Sequence, residues 1–228
     1  MTCLEIFLHG NLNQMKSNHF NWSYLFEDSS VDSFLKEERH WGQGQGPDNP
    51  GRQAWLNRVK ALSRPAIIGE LGPGIGVDYG LLQDSGLLSG ITYHALDVTP
   101  EFCVHLAKTY PDLKVTNING YDIPFTDCYF DVFYMRHVLE HQENYRWQLR
   151  EIFRVTRNEI FINFFLPLTE SPADNIKFDN IFYHNQYSKT LFEKFCSKYG
   201  WVINSDTTNT TIIDDVEYSD EIVVLYKV

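Results

Sequence analysis

The chain predicts a doubly wound α/β fold, a mostly parallel sheet with helices on both faces. Three observations carry that prediction. Short apolar runs alternate with stretches of helical spacing through the middle of the chain, the pattern of successive βαβ units. The first run, Ala66 to Leu71, opens into Gly72-Pro73-Gly74-Ile75-Gly76, where glycine permits positive φ and lets a ligand approach the backbone. The run from Ile91 to Leu96 ends on Asp97, and an acid at that strand end can accept from both hydroxyls of a ribose.

Size and composition bound the rest. A chain of 228 residues, 43% apolar and 21% charged, suits one globular domain with a small cap. A net charge of −11 argues against a nucleic-acid backbone as partner, since such binders usually carry a basic surface. Cys3, Cys103, Cys128 and Cys196 show no C-x-x-C spacing, so four reduced thiols and a cytoplasmic location are expected. There is no signal-peptide pattern and no run of ~20 apolar residues, so no membrane span is expected.

Residues 1–47 are aromatic-rich and irregular, with a possible helix over Val31 to His40 and a glycine-rich linker at 42–47; they read as a cap or lid. Residues 48–228 form the main domain. Asp48-Asn49-Pro50 caps and starts a helix to about Leu62. Strand one, 66–71, leads to a helix from Val77 to about Leu88. Strand two, Ile91 to Leu96, leads to a helix begun by Thr99-Pro100-Glu101 and running to about Tyr110. Strands three and four are Leu113 to Ile118 and Phe130 to Met135. Leu149, Ile152 and Phe153 give helical spacing to Glu143–Val155, and strand five is Ile160 to Leu166. Residues 167–187 have no period, and an aperiodic stretch of that length tends to be functional. Ser188 caps a helix stopped by Gly200, and Trp201–Ser205 and Glu221–Lys227 close the chain as an antiparallel pair.

Two further segments carry chemistry. In Gly120-Tyr121-Asp122-Ile123-Pro124-Phe125, the aspartate could accept from an exocyclic adenine amine while the Ile123 amide meets a ring nitrogen. Phe130-Asp-Val-Phe-Tyr-Met-Arg136-His137-Val-Leu-Glu140-His141 then follows. The glycine turn, Asp97, the Asp122 segment and this run, in this order, resemble the motifs of class I S-adenosylmethionine-dependent methyltransferases. The resemblance spans roughly residues 48–165 and is strongest to the small-molecule group that includes the ubiquinone-biosynthesis O-methyltransferases.

That resemblance implies a Rossmann-like, seven-stranded sheet with the last strand antiparallel. It implies S-adenosyl-L-methionine as cofactor, S-adenosyl-L-homocysteine as product, and a small-molecule acceptor methylated on O, N or C. Glu70, Gly72 and Gly74 would lie against the methionine and ribose parts. Asp97 would hold the ribose, with Val98 beside the adenine and Asp122 and Ile123 reading it. Arg136 would offer its backbone at the end of strand four. Arg52 would approach the cofactor carboxylate, although a surface helix arginine fits its spacing equally well. Pro73 and Gln142-Glu143-Asn144 depart from the family pattern, the latter where the acceptor pocket is lined. Residues 167–187 would be an acceptor-side insertion, with Phe165, Phe178, Phe182, Tyr183, His184 and Tyr187 as possible pocket contacts.

The two histidines admit several readings. For a hydroxyl acceptor, His141 or His137 is the candidate general base, against a packed or capping histidine. His137-Val-Leu-Glu140-His141 also fits the H-x-x-E-H pattern of a zinc peptidase. That alternative needs a helix beginning near residue 137 and a third ligand, and Glu151, Glu159 and Glu170 are generic candidates only; no metal is expected. A further alternative keeps the cofactor site in a regulatory protein without turnover.

Overall fold

The computed structural model describes residues 49–119, 121–178, 183–213 and 216–228. The expected cap over residues 1–47, and Phe182, lie outside them. Helix α1 spans Pro50–Ala61, and the Asn49 side chain accepts from the Arg52 amide to cap it, which satisfies one of the amides that a helix start leaves unpaired. Then follow β1 (Ala66–Leu71), α2 (Val77–Asp84), β2 (Ile91–Asp97), α3 (Pro100–Thr109), β3 (Lys114–Asn117) and β4 (Phe130–Arg136). The second half holds α4 (Tyr145–Val155), β5 (Thr156–Phe164), α5 (Lys189–Lys198), β6 (Trp201–Ile213) and β7 (Val216–Lys227).

The seven strands form one sheet in the order β3-β2-β1-β4-β5-β7-β6. The pairs from β3 to β5 are parallel, and β7 runs antiparallel to both of its neighbours. This is the expected doubly wound, seven-stranded arrangement with its last strand reversed. The order changes direction between β1 and β4, so the carboxyl ends of those strands flank the crevice where ligands bind in open α/β sheets.

The sheet is covered on both faces. On one, Trp55 of α1 stacks on Tyr134 at 4.1 Å with an interplanar angle of 5°. On the other, Phe133, Met135, Ile162 and Phe164 pack with Leu149 and Ile152 of α4 and Phe192 of α5. Because side chains alternate along a strand, Tyr134 and Met135 serve opposite cores.

Four boundaries differ from expectation. Helix α2 stops at Asp84 because Gly86 takes φ +66° and the Leu87 amide turns back to the Leu82 carbonyl, a Schellman ending. Strand β5 starts four residues early, at Thr156. Its first residues are polar because they are ion-paired: Arg157 meets Asp131 and buried Glu159 meets Arg58 of α1. The terminal hairpin is far longer than its apolar ends suggest, since the threonine-rich and acidic stretch between them continues the pairing to Ile213↔Val216. After β4, His137 takes φ +55° and only a short 3-10 turn, Leu139–His141, follows. The helix that would align His137 with His141 for a metal is not formed, which overturns the peptidase alternative. Among the described residues no cluster of three His, Cys, Asp or Glu is placed to hold a metal ion, and no helix is long and apolar enough to cross a membrane. Cys103 and Cys196 are buried free thiols. Cys128 is disulfide-bonded, so the expectation of four reduced thiols fails there.

Candidate functional site

The site is built where β1, β2 and β4 end. Gly72, Gly74 and Gly76 all have positive φ, at 66°, 54° and 80°, a conformation costly for other residues. The Gly72 amide donates to the Leu96 carbonyl at 2.9 Å, fastening the turn to β2. A Cβ on Gly72 would lie 2.6 Å from Val138 Cγ2, whereas one on Gly74 would meet nothing within 4 Å. Gly72 thus lets β4 close against the turn, and Gly74 faces open space that a ligand can occupy.

Two buried acids border that space. Asp97 is 4% exposed; its carboxylate accepts from the Thr99 amide at 2.8 Å and the Gly74 amide at 3.4 Å. Burial nevertheless pushes it up to about 6. Glu70 accepts from the Tyr93 hydroxyl at 2.9 Å. Burial, with Asp78 nearby, pushes it up to about 8 against the pull of Tyr93 and Arg52. Both acids would ionise more readily if hydroxyl or ammonium donors entered the space. Arg52 lies 2.7 Å from Asp78 in a buried ion pair, so it is not a surface arginine.

Beside this cluster, the buried Trp55 Nε1 and Tyr134 hydroxyl have no hydrogen-bond partner among the described residues. The Tyr134 hydroxyl feels the charges of Asp78, Arg136, Glu70 and Arg52. Asn163, at the end of β5, is fully buried with both amide atoms unpartnered, and a Cβ on Gly51 of α1 would collide with it at 1.9 Å. Buried polar groups are normally paired, and orphans of this kind are what a polar ligand or water would complete.

The adenine-side expectation maps onto a clamped loop. Asp122 is exposed, Val98 half-buried and Ile123 buried. The Ile123 amide faces Glu151 at 3.4 Å. Arg154 of α4 holds the carbonyls of Ile123 and Phe125 at 2.9 and 2.8 Å while pairing with Glu151 and Asp127. Arg154 was not legible as a loop anchor, because its partners lie about 30 residues upstream.

His137 and His141 are brought to different partners. His137 Nε2 lies 3.0 Å from Asp220 Oδ1 of β7, and Arg136 Nη2 lies 3.4 Å from Oδ2. Burial and the neighbouring Arg136 hold His137 down at about 4, so it is neutral near pH 7. Asp220 is held at about 2: burial opposes ionisation, but donation from His137, the charge His137 acquires in acid and the charge of Arg136 outweigh it. His141 Nδ1 lies 2.7 Å from the Tyr183 carbonyl, and its ring stacks on Phe165 at 5.2 Å. Glu140 accepts from the Phe165 amide at 2.6 Å and is pushed up to about 8 by burial; it braces the exit of β5. Asn185 is tied to the same place: its side chain donates to the Gln142 carbonyl at 2.7 Å and its backbone amide to the Glu140 carbonyl at 2.9 Å. A cavity of about 360 Å³ lies elsewhere, at the starts of β2 and β3 near Tyr79, Thr92 and Lys114, and is lined by none of the residues that the sequence offers for the cofactor or for catalysis.

A family described as "Methyltransferase domain" matches residues 69–162. No curated protein matches the sequence. The fold is similar to that of a Burkholderia thailandensis 1,6-didemethyltoxoflavin-N1-methyltransferase, bound to 1,6-didemethyltoxoflavin and S-adenosylhomocysteine, with TM-score 0.60, 15% identity, and coverage of 86% of this chain and 87% of that one. It is also similar to a Synechocystis magnesium protoporphyrin IX methyltransferase with bound S-adenosylhomocysteine, with TM-score 0.58, 16% identity and coverage of 91% and 93%. A Haloferax volcanii complex of the Trm112 methyltransferase activator with a methyltransferase matches with TM-score 0.60, 15% identity and coverage of 84% and 96%.

Proposed function

We propose that the chain is a class I S-adenosylmethionine-dependent methyltransferase whose acceptor is a small molecule methylated on an oxygen or nitrogen that bears a proton. The observation that carries this reading is the neutral His137 paired with Asp220 at the strand ends beside the glycine turn. A base is required only when the attacking atom must lose a proton, and an imidazole that is neutral near pH 7 has a ring nitrogen free to accept it.

The residues present fit the cofactor. Gly74 leaves the backbone uncovered, Asp97 suits the ribose hydroxyls, Asp122 and Ile123 suit the adenine, and Glu70 with Arg52 suits the zwitterionic methionine end. Bound there, the cofactor would supply a methyl carbon on a sulfonium, a leaving group able to take the carbon–sulfur electron pair. Because that leaving group is already good, the chain's contribution is alignment and exclusion of water. Arg136 and the positive-φ His137 direct the chain across the crevice, and Val138 packs on Gly72. Phe165, His141 and Asn185 would wall the acceptor side. The net charge of −11 favours a small neutral or cationic acceptor over a nucleic acid.

Titration calorimetry with S-adenosylhomocysteine tests the cofactor site, and a panel of phenols and heteroaromatic N–H compounds tests the acceptor class. With a turned-over acceptor, His137→Gln lowers kcat by ~10²–10⁴-fold with cofactor affinity unchanged. Unaltered turnover removes His137 from the chemistry. Tight cofactor binding without turnover of any small molecule supports the regulatory alternative.

A further inference from the structure

We propose that Asp220, from the last strand, is a positioning residue that fixes His137 as the Nε2–H tautomer and so makes Nδ1 the proton-accepting atom. The inference rests on the reading of His137 as base and adds the residue through which it acts.

The geometry assigns the tautomer. An ionised carboxylate only accepts hydrogen bonds. At 3.0 Å from Asp220 Oδ1, His137 Nε2 must therefore carry the proton, and in a neutral imidazole Nδ1 then carries a lone pair. Nδ1 makes no hydrogen bond among the described residues and is not sealed from solvent, and the side chain as a whole is 18% exposed. The edge of the ring rests against Phe165 at 5.3 Å. Turnover then has a definite proton path: the acceptor's O–H or N–H proton passes to Nδ1 as the acceptor's lone pair bonds to the methyl carbon. The resulting imidazolium is stabilised by Asp220.

Asp220 is itself held from several sides. Arg136 of β4 approaches Oδ2 at 3.4 Å, and the Asn49 side chain ahead of α1 donates to the carboxylate. The charged groups that act on His137 are Arg136, the residue before it at the end of β4, Arg52 on α1 and Asp220 on β7, and Asp220 in turn raises Glu140 of the following turn. The two arginines oppose protonation of the ring at rest, and Asp220 favours it. Nothing in the sequence joins the pair, which lies 83 residues apart.

Imidazole ¹⁵N NMR on the full-length protein, with and without S-adenosylhomocysteine, reads the tautomer directly. The wild type is expected to show His137 neutral at pH 7 and at least tenfold in favour of Nε2–H. In Asp220→Asn, checked for folding by circular dichroism, that preference should fall several-fold, because an amide can donate as well as accept. Asp220→Glu should restore part of it. A wild-type ring protonated on Nδ1, or a ratio unmoved in Asp220→Asn, overturns the proposal, and the wild-type spectrum alone can do so if the variants do not fold. The Nε2–H tautomer together with full turnover of His137→Gln would instead overturn the base reading.

Discussion

The two central glycines of the turn make separable predictions, one for stability and one for binding. Gly72→Ala must place an L-residue at φ +66°, a strain of ~1–2 kcal/mol. Its Cβ would also sit 2.6 Å from Val138 Cγ2, in a side chain already packed against the core, and relieving such an overlap costs ~1–3 kcal/mol. The sum is ~2–5 kcal/mol, which for a domain of this size lowers Tm by roughly 5–15 °C. Gly74→Ala carries the strain of φ +54° without a collision, since nothing lies within 4 Å of its Cβ; ~1–2 kcal/mol is expected. That methyl group would instead occupy the space assigned to the cofactor, and S-adenosylhomocysteine affinity should fall at least ~10-fold, or ~1.4 kcal/mol. Urea unfolding and titration calorimetry on both variants decide the matter. In Gly72→Ala/Val138→Ala the overlap disappears, so the double variant should be more stable than the two single losses added together. Equal destabilisation by Gly72→Ala and Gly74→Ala, or wild-type affinity in Gly74→Ala, would refute the division of labour.

Further outcomes follow from the buried charges and the α1 face. Arg58→Ala leaves Glu159, whose side chain is 2% exposed, without its ion partner and should cost ~3–5 kcal/mol in urea unfolding; a loss under ~1 kcal/mol would show the carboxyl simply protonates. Glu70 and Asp97 have folded pKa values of about 8 and about 6, above their ordinary 4.5 and 3.8. The folded state therefore binds more protons, and stability should fall as pH rises from about 4 through about 8. His137 and Asp220 act oppositely because their values are lowered; their contribution is lost on acidification, over about 6.5 to 4 and 3.8 to 2 respectively. Glu70→Gln should flatten the limb between pH 6 and 8, and an unchanged slope would contradict its raised value. Cofactor binding at pH 7 should release protons from these acids, giving calorimetric enthalpies that differ between phosphate and Tris; equal enthalpies count against it. Trp55→Ala removes a fully buried ring stacked on Tyr134 and should cost ~3–5 kcal/mol, whereas Trp55→Phe should retain most of the stability by thermal unfolding.

Much of the frame was legible in the chain because its signals are local. The glycine turn, Asp97 at a strand end, Asn49 before α1 and Ser188 before α5 each act within a few residues, and they stand where local chemistry puts them. The start of β5 was hidden because Arg157 and Glu159 are polar yet lie in a strand, their charges answered by Asp131 and Arg58 from distant segments. Arg52 fitted a surface helix arginine as well as any other reading, and only its 2.7 Å pair with Asp78, from the helix after the turn, shows it to be buried. His137 and His141 looked alike in the chain, and only the backbone turn at φ +55° sends them to different partners.

Alone, then, the sequence determined that a parallel α/β sheet delivers three glycines and an acid to adjacent strand ends, since propensity, capping and hydrophobic period are properties of neighbouring residues. Tertiary structure decided which charges meet. Asp220 reaches His137 only because β7 inserts between β5 and β6, and Glu70 becomes a weak acid only because helices cover it. Long-range pairing and desolvation belong to the packed sheet and have no counterpart in any short stretch of chain.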